Sequence, residues 1–208
     1  MAKKKANTEE QVVEAKAPDY REVIIPIVGI TPLLCHRLTE EAKMEMLLER
    51  HQKMAGATGG KKSPKVVTID DEFNDACYPM PSDDGTPKFG FPTSAFRLAV
   101  REAARMTKLP MTQARLTFIP LEEIVEIRYD EVRARVDKVG GTTPGKPSTC
   151  VTRAEFTNWS CDLPIEYDAD FASINVIINL LQRAGRMIGV GAWRPERNGL
   201  HGRFKIAG

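Results

Sequence analysis

The stretch AGRMIGVGAWRPERNGLHGRFKI, residues 184–206, decides how the rest of the chain is interpreted. It follows an apolar helical pattern at residues 173–186 and ends in an extended apolar pattern at residues 203–206. Between these patterns stand glycines, which permit positive φ and leave backbone N–H groups accessible. We therefore expect a loop that wraps a phosphate chain at the end of a helix. The glycines are Gly189, Gly191, Gly199 and Gly202.

The side chains between these glycines are of the types that bind nucleic acids. Trp193 offers a stacking surface, Asn198 offers a hydrogen-bonding amide, and arginines offer contacts to phosphates. These arginines are Arg194 and Arg197, and Arg203 directly follows Gly202. The alternative interpretation is structural: the glycines make two tight turns, the tryptophan fills the core and the arginines are solvated.

A second row of cations lies on the helix predicted at residues 93–107, with Thr93 as its N-cap. Its apolar positions follow the helical period and predict a buried face: Phe96, Ala99, Val100, Ala103 and Ala104. Another face carries Arg97, Arg101 and Arg105, whose guanidinium groups match phosphate oxygens. The alternative is a solvated face, although Glu102 is the one acidic residue beside the row.

The order of the predicted elements gives the fold class. Strands are predicted at residues 20–30, 116–119, 124–128, 132–137, 150–156, 159–167 and 203–206. Helices are predicted at residues 39–54, 70–77, 93–107 and 173–186, the last one capped by Asp168 or Asp170 and ended by Gly185. A hairpin is predicted within residues 79–92. This order reduces to a split β-α-β pattern. We predict an α+β, ferredoxin-like (RRM-like) fold with an antiparallel sheet and two main helices.

We expect one domain at residues 19–208, with insertions at about 39–92 and 138–149. Residues 1–18 predict a disordered tail, and residues 55–64 and 140–148 predict flexible loops. The uncharged stretch at residues 169–182 is broken by Asp170 and is shorter than the roughly 20 residues of a membrane span. The charged start lacks the apolar region of a signal peptide. We therefore expect a cytoplasmic protein without a membrane partner.

The charge of the chain is distributed unevenly. The 208 residues contain 30 Lys and Arg against 28 Asp and Glu, a net charge of +2. Residues 183–208 contain six basic residues and one acidic residue, a net charge of +5, which leaves −3 for the remainder. The segment that contains the glycines is therefore basic and attracts polyanions. The middle strands also carry arginines, which we interpret first as scaffold: Arg128, Arg133, Arg135 and Arg153.

No cofactor or metal is expected. The four cysteines, Cys35, Cys77, Cys150 and Cys161, are spread singly and are expected to be reduced. No two of the three histidines are spaced as metal ligands on one helix face.

The segment of residues 173–206 resembles the closing part of RAMP-superfamily domains, which occur in CRISPR-associated RNA-binding proteins. In that family a helix leads into a glycine-rich loop, G-x-G followed by G-x-G, and a short strand. Here the gap between the glycine pairs is longer, and the second pair is separated by two residues. The opening strand with Thr31-Pro32-Leu33-Leu34 is also similar to small phage-encoded proteins that end in such a loop. The resemblance implies a binding subunit or a metal-free RNA-processing enzyme that uses a histidine.

Three functions follow from these observations. The first is a non-catalytic RNA-binding or single-stranded DNA-binding protein that works in a multi-subunit or filamentous ribonucleoprotein of CRISPR or phage type, with itself or other subunits as partners. The second is a metal-independent endoribonuclease, for which His36 and His201 are weak candidates for the acid or base. The third is a phage structural or host-interaction protein that binds no nucleic acid.

Overall fold

The computed structural model describes residues 16–54, 68–140 and 148–207. Most of the predicted tail, the predicted loop at residues 55–64 and most of the predicted loop at residues 140–148 lie outside these ranges. In the described part the elements follow in this order: β1 (Tyr20–Gly29), β2 (Leu33–Cys35), α1 (Glu40–Met54), α2 (Ile69–Ala76), β3 (Pro79–Met80), β4 (Lys88–Pro92), α3 (Ser94–Ala103), α4 (Met111–Ala114), β5 (Ile119–Pro120), β6 (Ile124–Glu126), β7 (Glu131–Gly140), β8 (Ser148–Thr157), β9 (Ser160–Asp168), α5 (Ile174–Arg183) and β10 (Phe204–Ile206).

The central sheet has the strand order β10-β1-β9-β5, and all neighbouring strands are antiparallel. Helix α3 lies between β1 and β5 along the chain, and α5 lies between β9 and β10. Two β-α-β units that interleave in this way form the ferredoxin-like arrangement. The predicted α+β class with an antiparallel sheet and two main helices is therefore confirmed.

Helices α3 and α5 cover one face of this sheet. Ile25 and Ile27 of β1 are buried on that face, and Pro26 between them is exposed, as the two-residue period of a strand requires. Phe96 of α3 meets Phe204 of β10 edge to face, with ring centroids 5.3 Å apart. Because the two helices also contact each other, the segment that leaves α5 lies beside α3.

A second sheet, in the order β2-β8-β7, packs its apolar side into the same core. Leu33 and Phe156 are completely buried there. The other side of β8 carries Arg153 and Glu155, which are buried although they are charged. A third small sheet, in the order β3-β4-β6, contains the hairpin that was predicted at residues 79–92.

The apolar face predicted for α3 is confirmed, whereas its predicted cap is wrong. Phe96, Ala99, Val100 and Ala103 are buried. Thr93 has helical backbone angles, and its hydroxyl donates to the carbonyls of Glu122 and Glu123 instead of capping the helix. The Thr93 hydroxyl therefore bonds to distant carbonyls in place of a backbone N–H in the first turn of α3. Thr39, by contrast, accepts a hydrogen bond from the N–H of Ala42 and caps α1.

The predicted limits of the last helix are also wrong. The residue before α5 is Ser173, and the Asp168 carboxylate accepts from the N–H of Asp170 in the preceding turn. The helix does not end at Gly185 but continues as a π-helical turn, Ala184–Ile188, up to Gly189. Val176 is exposed, so α5 is buried on one side only.

Ala103→Asp is expected to unfold the protein at temperatures at which the wild type is folded. Ala103 is completely buried, and an unpaired charge at such a position costs roughly 3 to 5 kcal/mol. Leu98→Asp on the same helix is the control, because about half of Leu98 is exposed. Thermal unfolding followed by circular dichroism measures both variants. Equal decreases in Tm would show that the two faces of α3 are assigned wrongly.

Candidate nucleic-acid interface

Residues 189–202, the glycine loop, are held against β2 and the segment that precedes it. The N–H of Ala192 donates to the carbonyl of Leu34, and the N–H of Gly202 donates to the carbonyl of Pro32, each at 2.8 Å. The two ends of the loop are joined by a hydrogen bond from the N–H of Val190 to the carbonyl of Gly202. The loop is therefore an ordered part of the fold whose shape is fixed by backbone hydrogen bonds.

The glycine N–H groups were expected to be open to a ligand, and this is wrong for three of them. Gly189 donates to Ala184, Gly199 to Arg194 and Gly202 to Pro32. The structure shows a different reason for a glycine at position 202. A Cβ atom on Gly202 would lie 1.7 Å from the carbonyl oxygen of Val190, and the residue has a φ of +66°. The loop can therefore close only where no side chain separates its two ends.

Gly202→Ala tests this close approach, with Gly85→Ala as the matched control. Gly85 has a similar φ of +75°, but a Cβ atom there would meet nothing within 4 Å. Gly85→Ala should cost only the left-handed backbone penalty, about 1 to 2 kcal/mol. Gly202→Ala should cost clearly more, because the Val190 carbonyl must also move. Denaturant unfolding measures the free energy of unfolding of both variants. Equal losses would mean that the Val190 carbonyl can move away from residue 202 without cost.

The inner side of the glycine loop covers the charged side of β8. Trp193 has a φ of +48°, and its ring lies under the guanidinium of Arg153, 5.8 Å from the ring centroid. Trp193 is 37% exposed and so does not fill the core. Arg153 covers one face of its ring.

Three arginines of the middle strands pair with buried or partly buried carboxylates, whereas Arg128 pairs with Asp162 at the surface. Glu155 is only 3% exposed and accepts from Arg133 at 2.7 Å and from Arg135 at 3.3 Å. Asp137 accepts from Arg135 at 3.0 Å and from Arg153 at 2.8 Å. A lone carboxylate at such a depth would be unstable, so each acid holds two guanidinium groups. Sequence analysis missed these acids, although the cross-strand register pairs Arg133 with Glu155.

His201 belongs to this network and not to an open site. Its Nε2 lies 3.0 Å from Nη1 of Arg135. Arginine can only donate, so Nε2 is the acceptor and the ring proton is on Nδ1. Burial and the Arg135 charge lower the pKa of His201 below its usual value of 6.5, despite the nearby Glu155. The pKa of His36 is likewise lowered by burial and by Arg153. Both candidate histidines are therefore neutral at pH 7.

The lowered pKa of His201 predicts a dependence of stability on pH. The unfolded chain keeps a pKa near 6.5, so it takes up a proton at this residue before the folded protein does. The free energy of unfolding therefore decreases as the pH falls below about 6.5 and levels off below the folded pKa. When the pH is lowered from about 7.5 to about 5.5, the Tm of His201→Gln should therefore decrease less than the Tm of the wild type. Equal losses in both proteins would contradict this assignment.

The outer side of the glycine loop forms a cleft with α3. This loop cleft has a volume of about 220 Å³. It brings Arg101 of the predicted arginine row together with Arg194 and Arg197 of the loop, which are more than 90 residues away in sequence. Leu98, Gly189 and Gly191 also line it. The two groups of cations that the sequence indicated separately thus face one space.

Two carboxylates that sequence analysis did not assign to the site also line the loop cleft. Glu102 pairs with Arg101 at 2.7 Å and with Arg105 at 3.1 Å. Glu196 pairs with Arg194 at 2.6 Å and lies 3.8 Å from Arg197. The spacing of three residues between Glu102 and Arg105 on a helix was the available signal for such a pair. Three arginines and two glutamates leave the cleft with a net charge of +1.

The remaining predicted residues lie outside the loop cleft. Arg97 is one turn before Arg101 on α3 and lines a neighbouring cleft. Arg203 donates from Nε to the carbonyl of Arg186. Asn198 has a φ of +59° and ends a 3₁₀ turn, Pro195–Arg197, so its backbone serves the shape of the loop.

The described ranges contain no group of three or more His, Cys, Asp or Glu side chains that could hold a metal ion. All four cysteines are free thiols, and burial raises the pKa of Cys77 to about 11 and that of Cys161 to about 12. Among the helices of these same ranges, none is long and apolar enough to cross a membrane.

The chain is similar to the crystal structure of Cmr6 from Pyrococcus furiosus, with a TM-score of 0.43 and 9% sequence identity over 91% of this chain and 98% of that chain. No protein-family model and no curated protein matches the sequence.

Proposed function

We propose that the protein is a non-catalytic binder of RNA or single-stranded DNA and that the loop cleft is its phosphate-binding site. The observation that supports this proposal is the convergence of Arg101 from α3 with Arg194 and Arg197 from the glycine loop. Guanidinium groups on two sides of a cleft can hold successive phosphates of one strand, because each offers paired donors to phosphate oxygens.

Binding would replace the internal partners of these arginines. In the free protein Glu102 and Glu196 neutralise most of the positive charge of the cleft. Both pairs are partly exposed to water, where such contacts contribute little to stability. A phosphate chain can therefore displace the carboxylates at small cost, and the released counterions make the binding depend on salt.

A non-catalytic role fits the state of the histidines. A general base must reach the proton that it removes, and the acceptor nitrogen of His201 already faces Arg135. Since the pKa of both His201 and His36 is lowered, neither is charged at pH 7 to protonate a leaving group. A ribonuclease that uses either histidine as its acid would need a different arrangement of this network.

We further propose that the protein works as a RAMP-type subunit of a cytoplasmic ribonucleoprotein, with copies of itself or other subunits as partners. This finer proposal is supported by the ferredoxin-like strand order and by the helix, glycine loop and strand that close the domain. We propose that this ribonucleoprotein is of CRISPR or phage type.

Arg101→Ala combined with Arg197→Ala tests the loop cleft with one arginine from each side. Each lost phosphate contact should reduce the slope of log K against log salt by about 0.7, so the double variant should lose about 1.4. Fluorescence anisotropy with a labelled single-stranded RNA, measured over a range of salt concentrations, gives the slopes. Arg194 is kept in this variant because it also bonds to the Gly191 carbonyl within the loop.

Arg21→Ala combined with Arg128→Ala is the matched control, because both arginines are exposed and ion-paired and neither lines the cleft. The proposal is supported if this control keeps the wild-type slope. Equal losses in both double variants would reflect net charge alone and contradict a specific site. Absence of salt-sensitive binding by the wild type would favour a structural or host-interaction protein.

A further inference from the structure

We propose that the bound strand continues from the loop cleft along the exposed face of α3 into a second subsite, where Arg97 and Arg115 hold phosphates and Leu98 and Leu116 hold unpaired bases. This inference rests on the proposed function and extends it. It assigns Arg115 and Leu116, which no motif in the sequence indicated, and it specifies an unpaired strand as the ligand.

The two subsites form one continuous surface. The second cleft has a volume of about 400 Å³ and shares Leu98 and Arg101 with the loop cleft. Arg97 and Arg101 are four residues apart on α3, which corresponds to a rise of about 6 Å. A strand that contacts Arg101 in the loop cleft therefore reaches the second cleft without leaving the protein surface.

The second cleft holds the less compensated positive charge. Three arginines and no acidic residue line it. The lining residues are Ser94, Arg97, Leu98, Arg101, Arg115 and Leu116. Arg97 uses Nε to bond the Arg115 carbonyl at 2.7 Å, which fixes its direction and leaves its two Nη groups without a partner among the described residues. The Arg115 side chain forms no hydrogen bond or ion pair within the described ranges. These guanidinium groups can bind phosphate without first releasing a carboxylate.

The apolar residues of this cleft favour an unpaired strand. Leu98 is 52% exposed and Leu116 is 54% exposed, and both line the same cleft as the arginines. The bases of a duplex face one another and present only edges and backbone, whereas the bases of a single strand can lie flat on apolar side chains. Cations and exposed leucines in one cleft therefore match the phosphates and bases of one unpaired strand.

The far end of the groove limits how far the strand can run. Beyond Arg97 lies a third cleft that shares Ser94 and Arg97 with the second and contains Glu122 and Glu123. No cation other than Arg97 lines that cleft. Its carboxylates repel a phosphate chain, so the strand should end at the second subsite.

The test is a length series of labelled oligouridylates of 4, 8 and 12 nucleotides, with a 12-base-pair RNA duplex, measured by fluorescence anisotropy at one salt concentration. The wild type should gain affinity with length and bind the duplex more weakly than the 12-mer. Arg115→Ala and Leu116→Ser should each keep the affinity for the 4-mer and lose about tenfold or more for the 12-mer, roughly 1.4 kcal/mol. Both side chains are exposed, so both variants should fold, and their Tm values check this.

Arg128→Ala is the control for the loss of one surface cation and should leave the whole series unchanged. The inference is overturned if Arg115→Ala and Leu116→Ser bind every oligonucleotide as the wild type does. Equal binding of the duplex and the 12-mer would overturn the assignment of an unpaired strand. In both cases the loop cleft can still pass its own test with Arg101 and Arg197, so the two proposals fail separately. Absence of any binding by the wild type would remove both.

Discussion

Two backbone hydrogen bonds, from Ala192 to the Leu34 carbonyl and from Gly202 to the Pro32 carbonyl, determine the position of the glycine loop. The approach to Leu34 depends on Gly191, where a Cβ atom would lie 2.5 Å from the Leu34 carbonyl oxygen, and Gly202 lets the two ends of the loop meet. Once the loop is fixed, its inner side chains must lie over β8 and its outer side chains must face α3. The charged network and the loop cleft are consequences of this one attachment.

The two sides of the loop use arginine in opposite ways. On the inner side, Arg135 and Arg153 share the largely buried carboxylates of Asp137 and Glu155 and contact His201 and Trp193. A buried pair of this kind is costly to break, because the remaining charge would have no partner. On the outer side, Arg101 and Arg197 are more open to water, where an ion pair contributes less to stability. The ion-pair network over β8 and the loop cleft beside α3 therefore lie on opposite sides of the glycine loop.

Much of the fold could be predicted from the sequence because its signals are local. The β-branched run of β1 and the apolar period of α3 identify those elements, and the order of elements gives the ferredoxin-like arrangement. What could not be predicted depends on distant partners. The Thr93 hydroxyl bonds to carbonyls about 30 residues away, and Gly202 is required by the carbonyl of Val190. The arginines of the loop cleft were candidates in the sequence, whereas Arg115 has no periodic neighbour that would have made it one.

The pairing of β10 with β1 has a consequence for how the protein is made. Residues 204–206 complete the central sheet beside residues 27–29, and Phe204 fills the space against Phe96 of α3. A partly synthesised chain that lacks them has neither a closed core nor a loop beside α3. Contacts this distant in sequence form late and slowly. The loop cleft is therefore one of the last parts of the domain to form during synthesis.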